Sequence, residues 1–263
     1  VVRFLTTLLL LSLAKGGFAS TLQIASFNLE SGGAKIEQLL VDMTLVNRDI
    51  DVWGFQEVQK DWADKIAAHL TARGQGHFQA VMGKSGGSDR LAIVFNSDKF
   101  NLVNYEELAD INIGDRVRAP LVAMLEERKS GFSFLFMNNH LYRSNKSARH
   151  EQAHLINQWG RQQSLPFIAV GDYNFDYDIA TGKRDLGYYK LTAEAIFDWV
   201  KPDKLIKTQC STEYNSILDF IFVGGPTRFK PESAFIHFQE ESYCMEDAIR
   251  SDHRPLSALF TIN

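Results

Sequence analysis

The stretch Ser251-Asp252-His253-Arg254, near the end of the chain, is the last of six short polar segments whose order decides how the sequence is read. The others are Asn28 in Ile24-Ala25-Ser26-Phe27-Asn28, Glu57 in Gln56-Glu57-Val58, His140 in Asn138-Asn139-His140-Leu141, Asp172 with Asn174 in Gly171-Asp172-Tyr173-Asn174, and Asp219 in Ser216-Ile217-Leu218-Asp219-Phe220. Each is read as sitting at the end of an apolar, β-rich run, where a strand brings a polar side chain to the rim of a sheet. Because the segments run from residue 28 to residue 253, neither half of the chain could hold them all. Residues 21–263 therefore read as one domain, with no linker, repeat or low-complexity tract to divide it.

Working outward, short β-rich runs alternate with longer helix-like segments. Leu22–Asn28, Val52–Val58, Leu91–Phe95, Leu121–Leu125, Phe132–Asn138, Phe167–Gly171 and Ile217–Val223 read as strands. Ala34–Asn47, Trp62–Ala72, Ser147–Gln162 and Thr192–Val200 read as helices, the first with Ile36, Leu39, Leu40 and Met43 on one face. Several strands are apolar nearly throughout, so both faces of their sheet are expected to be covered. Composition and periodicity by themselves give an α/β protein.

The first twenty residues read as an export leader, with Arg3 at a positive start, an apolar stretch from Phe4 to Ala14 and a small-residue exit in Gly17-Phe18-Ala19-Ser20. That stretch falls short of the roughly 20 apolar residues that cross a bilayer, which favours a cleaved leader over a retained anchor or a buried strand. The expected location is secreted or periplasmic. In such an oxidising compartment the two cysteines, Cys210 and Cys244, are expected to form a disulfide rather than stay as buried thiols. Neither has a Cys or His at zinc-ligand spacing. The net charge is −4, and loss of Arg3 and Lys15 with the leader makes the remainder more acidic by two charges. Bulk electrostatics therefore do not hold this chain to nucleic acid. A local patch remains open, since Arg116, Arg118, Arg143, Lys146 and Arg149 fall in two clusters beside the polar segments. The alternative reading of these cations is an ordinary solvated face.

Together the six segments resemble the endonuclease/exonuclease/phosphatase superfamily of metal-dependent phosphodiesterases, which includes deoxyribonuclease I, exonuclease III and the neutral sphingomyelinases. The resemblance implies a four-layer α/β sandwich of two mixed β-sheets packed face to face and flanked by helices. It also implies site roles. Asn28, Glu57 and Asp252 are expected to hold Mg²⁺, with Mn²⁺ or Ca²⁺ as alternatives, since hard oxygen donors suit such ions. Asp172 is the expected water-orienting base, with Asn174, two residues on, as its partner. His140, with Asn174, is expected to stabilise the pentacovalent state or the leaving oxygen, and His253 is the alternative to Asp172 as the base. Asp219 is expected to orient His253, and Asp89 to support His140 as a paired carboxylate. Arg143 and Arg149 are the expected phosphate-binding cations. Asp176 and Asp178 carry no role and read as a solvated loop.

The function implied is a metal-dependent phosphodiesterase acting as a nuclease on DNA or RNA, as a monomer with no stable protein partner. A phospholipid, sphingomyelin or small phosphoester substrate is the alternative. No Trp-Phe or Phe-Phe loop of the kind that touches membranes stands out, and the Phe-containing residues 224–238 look like strand and core. A non-catalytic binding relative is the third reading. The acids Glu57, Asp172, Asp219 and Asp252 in four of the six segments argue against it.

Overall fold

The computed structural model describes residues 20–47, 49–226, 229–246 and 249–262. The expected export leader falls on residues 1–19, outside the described residues. In chain order the elements begin with β1 (Ser20–Asn28), α1 (Ile36–Val46), β2 (Val52–Val58), α2 (Trp62–Ala72), β3 (Phe78–Met82), β4 (Arg90–Asn96), β5 (Phe100–Glu107) and β6 (Leu121–Glu127). They continue with β7 (Ser133–His140), α3 (Lys146–Arg161), β8 (Phe167–Asp178), α4 (Leu186–Leu191), β9 (Phe197–Trp199), β10 (Ser216–Gly224), β11 (Lys230–Ile236) and β12 (Leu256–Ile262). One sheet runs β11-β12-β1-β2-β4-β3 and the other β5-β6-β7-β8-β10-β9.

Each sheet has one parallel pair at its centre, β1 with β2 and β7 with β8, while the other pairings are antiparallel. Parallel neighbours finish at the same edge of a sheet. Their register sets Asn28 opposite Gln56 in one sheet and His140 opposite Asp172 in the other. The polar ends of four strands therefore meet at one rim.

Alternation along the strands explains the layers. In β1, Leu22 and Ile24 join the large core that also holds Phe95, Phe134, Phe136 and Val170, whereas Ala25 and Phe27 join the core under α1 and α2. The second sheet carries α3 and α4 on its outer side, with Ile156, Tyr188 and Leu191 packed against it. The result is the expected helix–sheet–sheet–helix sandwich.

The central contact between sheets needs a glycine. A Cβ on Gly54 of β2 would stand 2.4 Å from Val170 Cγ2 and 3.2 Å from the Asn138 amide. At Gly171 in β8, with φ 141°, a Cβ would lie 2.0 Å from the carbonyl oxygen of Asn139.

The helix expected over Thr192–Val200 is not formed. The helix in this region is α4, which lies earlier and is capped by Asp185 accepting from the Gly187 N–H. Glu194 and Ala195 then take positive φ values of 53° and 54°, which end any helical path. Phe197–Trp199 becomes an edge strand pairing with β10. The aromatic side chains win there: Phe197 packs on Phe167 and Trp199 on Phe220. The strand expected to stop at Gly171 runs on to Asp178, so Asp176 and Asp178 belong to β8 rather than to a loop, with Asp176 exposed. Strands β3, β5, β9 and β12 are additional to those read from the sequence; β11 falls within residues 224–238, read as strand and core, although Phe235 is exposed. Cys210 and Cys244 form the expected disulfide, their Cα atoms 5.2 Å apart.

Gly54→Ala is expected to lower stability by about 1–3 kcal/mol, because the stiff Val170 side chain must yield inside a filled core. Thermal melting of the variant against the native protein measures this. An unchanged melting temperature would show that the sheets can separate without cost.

Candidate active site

The site is built on a β-bulge. Between β2 and β4 the register slips so that Phe55 faces Ala92 and Val58 faces Arg90, leaving Gln56 and Glu57 opposite one residue. Glu57 takes φ 55° there, a left-handed conformation that a non-glycine residue holds only under local constraint. The constraint comes from the other sheet. Asn138 of β7 donates through Nδ2 to the carbonyl oxygens of Phe55 (2.8 Å) and Ala92 (2.9 Å), and its Oδ1 accepts from Gln56 Nε2 at 2.6 Å.

At the rim, fully buried Asn28 donates through Nδ2 to Glu57 Oε1 and to Asp172 Oδ2, both at 3.2 Å. One amide therefore joins a carboxylate from each sheet. Asp172 Oδ1 accepts from the Asn174 N–H at 3.0 Å, and Asn174, at φ 52°, donates its side-chain amide to the Leu141 carbonyl. His140 lies over the pair, with Nε2 3.5 Å from Asp172 Oδ2 and Nδ1 4.0 Å from Glu57 Oε1. His253 approaches from the loop before β12. Its Nδ1 is 2.8 Å from Asp219 Oδ2 and its Nε2 is 3.8 Å from both Asp172 Oδ2 and Asp252 Oδ1. Ser251 locks this loop to β1, donating to the Asn28 carbonyl at 2.6 Å and accepting the His253 N–H.

Electrostatics divide the two histidines. Burial, reinforced by the charges of Arg118, His253 and Arg143, holds His140 well below its ordinary value, so it is neutral. Burial also opposes charge on His253, but Asp219, through charge and hydrogen bond, together with Asp172 and Asp252, raises it well above. Burial, with the charge of Asp219 beside it, pushes Asp172 up to about 7. Glu57 is raised by burial and then by Asp89.

Of the expected residues, Asn28, Glu57, His140, Asp172, Asn174, Asp219, Asp252 and His253 converge. Two assignments change. Arg149 is 1% exposed, and its guanidinium is committed to Asp185 and to the carbonyls of Tyr142 and Arg143, so no face is left for a phosphate. It lies one turn into α3, on the side that packs inward. Asp89 comes beside His140 but bonds Arg118 instead, Oδ2 to Nη1 at 2.8 Å. A charge-assisted bond to guanidinium outcompetes one to a neutral imidazole. Asp89 Oδ1 and His140 Nδ1 are both buried without a hydrogen-bond partner. Arg143 remains exposed beside His140.

Glu30 was missed. At φ 49° it turns its carboxylate back to accept the Asp252 N–H at 2.8 Å, and burial with the charge of Asp252 raises it to about 7. The available signal was its spacing of two from Asn28.

The donor set fits a hard divalent ion. Glu57, Glu30 and Asp172 are carboxyls held above their ordinary range by burial and then by neighbouring carboxylates, Asp89, Asp252 and Asp219 respectively, a state that a cation would relieve. Ligand atoms of Glu57, Asp89 and His140 lie within 4.8 Å of one another, as do those of Asp172, Asp219 and His253.

A sequence model described as the endonuclease/exonuclease/phosphatase family matches residues 25–253. No curated protein sequence matches the chain. Among solved structures, a family protein from Bacteroides thetaiotaomicron is 21% identical, covers 94% of this chain and 96% of its own, and superposes with a TM-score of 0.71. A mannosyl-6-phosphatase from Bacteroides thetaiotaomicron is 22% identical over 92% of this chain and 100% of its own, with a TM-score of 0.69. D. rerio TDP2 complexed with single-strand DNA product is 17% identical over 92% of this chain and 99% of its own, with a TM-score of 0.71. At these identities the likeness shows the shared fold alone.

Two tests follow from the geometry. Asn138→Leu strands two buried carbonyls at the bulge and is expected to cost about 1–3 kcal/mol in chemical denaturation; unchanged stability would mean that the bulge holds itself. The second concerns pH. Glu30 and Asp172 titrate near 7 in the folded cation-free protein and near 4 when unfolded, so the stability they add is present below about pH 4 and is lost as pH rises through about 7. The melting temperature in EDTA is therefore expected to fall from pH 6 to pH 8, and the gap to the cation-saturated protein to widen. A gap independent of pH would refute the placement of the cation beside these carboxyls.

Proposed function

Because the chain belongs to the endonuclease/exonuclease/phosphatase family of hydrolytic phosphoesterases, we propose that it is a divalent-metal-dependent phosphodiesterase cleaving nucleic acid by in-line attack of water. The observation that carries this reading is the meeting of Asp172 Oδ2 and His253 Nε2 at 3.8 Å, with Asp219 2.8 Å behind the imidazole and the Asn28 amide joining Asp172 to Glu57. A base must lie within reach of the proton it takes, and this carboxyl, raised by burial, is suited to accept one. Asp172 orients the water and takes its proton. His253, fixed by Asp219, places positive charge where the pentacovalent phosphorus gathers negative charge. His140, neutral, offers an Nε2–H on the same side, its tautomer following from its nearest acceptor.

Glu57, Asn28, Asp252 and Glu30 would hold the ion, Mg²⁺ in the first instance. When bound, it neutralises phosphoryl oxygens.

The choice of nucleic acid rests on Arg118 and Arg143 beside His140, with exposed Arg116 on the β5–β6 connection and exposed Lys146 at the start of α3. Such cations position a phosphate backbone. The likeness to D. rerio TDP2 in complex with a single-strand DNA product supports this choice. The likeness to a mannosyl-6-phosphatase favours a small phosphoester as the second reading. Action outside the cytoplasm belongs to the same proposal and is supported by the disulfide.

The test is release from plasmid DNA, RNA, sphingomyelin vesicles, a sugar phosphate and bis-p-nitrophenyl phosphate, by the native protein, Glu57→Ala and His253→Ala, in Mg²⁺, Mn²⁺, Ca²⁺ or EDTA. Cleavage of DNA or RNA is expected, abolished by EDTA and reduced about a hundredfold or more in either variant. Turnover of lipid or small ester alone would move the protein to the second reading. Silence everywhere would make it a binding relative.

A further inference from the structure

Two connections flank the His253 side of the site, one from each sheet. Residues 200–215 link β9 to β10, the strand carrying Asp219, and residues 237–255 link β11 to β12 and carry Asp252 and His253. Between Asp219 and His253 lies residues 208–210, bonded to both. Thr208 Oγ1 accepts the N–H of Leu218 and of Asp219 at 2.9 and 3.2 Å. On its other side the Thr208 carbonyl accepts the Arg254 N–H, Gln209 bridges His253, and the Cys210 N–H donates to the Asp252 carbonyl at 2.7 Å. Gln209 Nε2 also donates to Asp252 Oδ2. This segment sets the span across which His253 reaches Asp219.

What holds the segment is the short 3-10 turn Glu241–Glu246. Cys244 in that turn is bonded to Cys210. The adjacent residue, Tyr243, is 4% exposed and donates its hydroxyl to the His253 carbonyl at 3.0 Å. Its ring stacks on Phe238 at 4.8 Å and lies under the guanidinium groups of Arg250 and Arg254. Arg254 in turn donates to the carbonyls of Lys207, Phe238 and Glu240. Neighbouring residues of one turn thus hold the carbonyls of neighbouring site residues: Tyr243 directly on His253, Cys244 through Cys210 on Asp252.

We propose that Tyr243 and the Cys210–Cys244 disulfide form one positioning clamp on Asp252 and His253, so that turnover runs at full rate only while the disulfide is formed. The proposal rests on the phosphodiesterase reading above. Neither cysteine belongs to the two cores that hold the sheets together. Opening the bond therefore leaves the sandwich in place and removes the covalent tie between the 208–210 segment and the Glu241–Glu246 turn, so that hydrogen bonds alone set its position. In that step a dithiol gives up two electrons and two protons, the S–S bond breaks, Cys210 and Cys244 become thiols, and the dithiol closes to its own disulfide. A shift on the order of 1 Å at a reacting group costs about a hundredfold in rate, and the Nδ1 to Asp219 contact of 2.8 Å has little slack.

The experiment uses bis-p-nitrophenyl phosphate with saturating Mg²⁺, and compares native protein before and after dithiothreitol, the reoxidised protein, Tyr243→Phe, and Cys210→Ser/Cys244→Ser. The expected result is kcat lower by about tenfold or more with KM within about twofold, restored by reoxidation in the native protein and insensitive to dithiothreitol in the double variant. In parallel, the downfield Nδ1–H proton resonance of His253, assigned by its loss in His253→Asn, is expected to broaden or vanish on reduction. A fall in melting temperature with kcat unchanged would make the bond merely structural and overturn the proposal. Should the double variant not fold, reversible reduction of the native protein and Tyr243→Phe decide alone. Native protein silent on every phosphodiester refutes the phosphodiesterase reading instead, and the His253 resonance then still reports whether the clamp exists.

Discussion

The side-chain amide of Asn138, reaching from the second sheet to the carbonyls of Phe55 and Ala92 in the first, is the contact on which the rest depends. A bulge in a buried strand leaves carbonyl oxygens out of the ladder, and each one left unpaired costs on the order of 1–3 kcal/mol. Here the donor to both carbonyls comes from the other sheet. Its bulge is therefore stable only when the sheets are docked, and docking is possible only because Gly54 lets Val170 approach. Glu57 gains its left-handed turn from that bulge. Folding and assembly of the site are one event: no half of the sandwich presents the carboxylate without the other.

The same division runs through the site. Asn28, Glu30, Glu57, Asp252 and His253 come with the first sheet, and His140, Asp172, Asn174 and Asp219 with the second. Bringing the two sets together buries several carboxyls against one another, which is unfavourable without a cation or a donor. Asn28 relieves part of this by donating to one carboxylate from each side, and His253 relieves more. What remains appears in the raised values of Glu30, Glu57 and Asp172. The structure stores this repulsion at the place where an ion would cancel it.

How much of this was legible in the sequence follows from what kind of interaction each residue makes. Strands such as Val52–Val58 and Leu91–Phe95 could be read because burial on both faces leaves a continuous apolar run, and Trp62–Ala72 because helical periodicity is local. The edge strand β5 could not: half-exposed, with Asn and Glu among its residues, it has no long apolar run to show. Residues 192–200 were misread because a few apolar residues fit either period, and aromatic packing across the sheet decided for strand. At the site, ordered motif residues were legible, but their partners were not. Nothing in Ser88-Asp89-Arg90 indicates that an arginine 29 residues on would take the carboxylate from His140. Nor does the order of residues reveal that Arg149 turns inward to Asp185, since a helix shows which face a residue occupies only once its neighbours are known.

The two histidines show why position in a motif does not settle a role. Both are buried, and burial alone would make both neutral. His140 meets cations on several sides, Arg118, Arg143 and His253, while the carboxylate that could have charged it is held by Arg118. His253 meets Asp219 at hydrogen-bond distance, with Asp172 and Asp252 close behind. The identity of one bond, Asp89 to Arg118 rather than to His140, thus separates a neutral imidazole from a fixed positive charge 3.8 Å from Asp172. A phosphoryl centre placed between them would meet both kinds of group without either having to change its charge first, and a site that need not reorganise as charge develops loses least to the transition state.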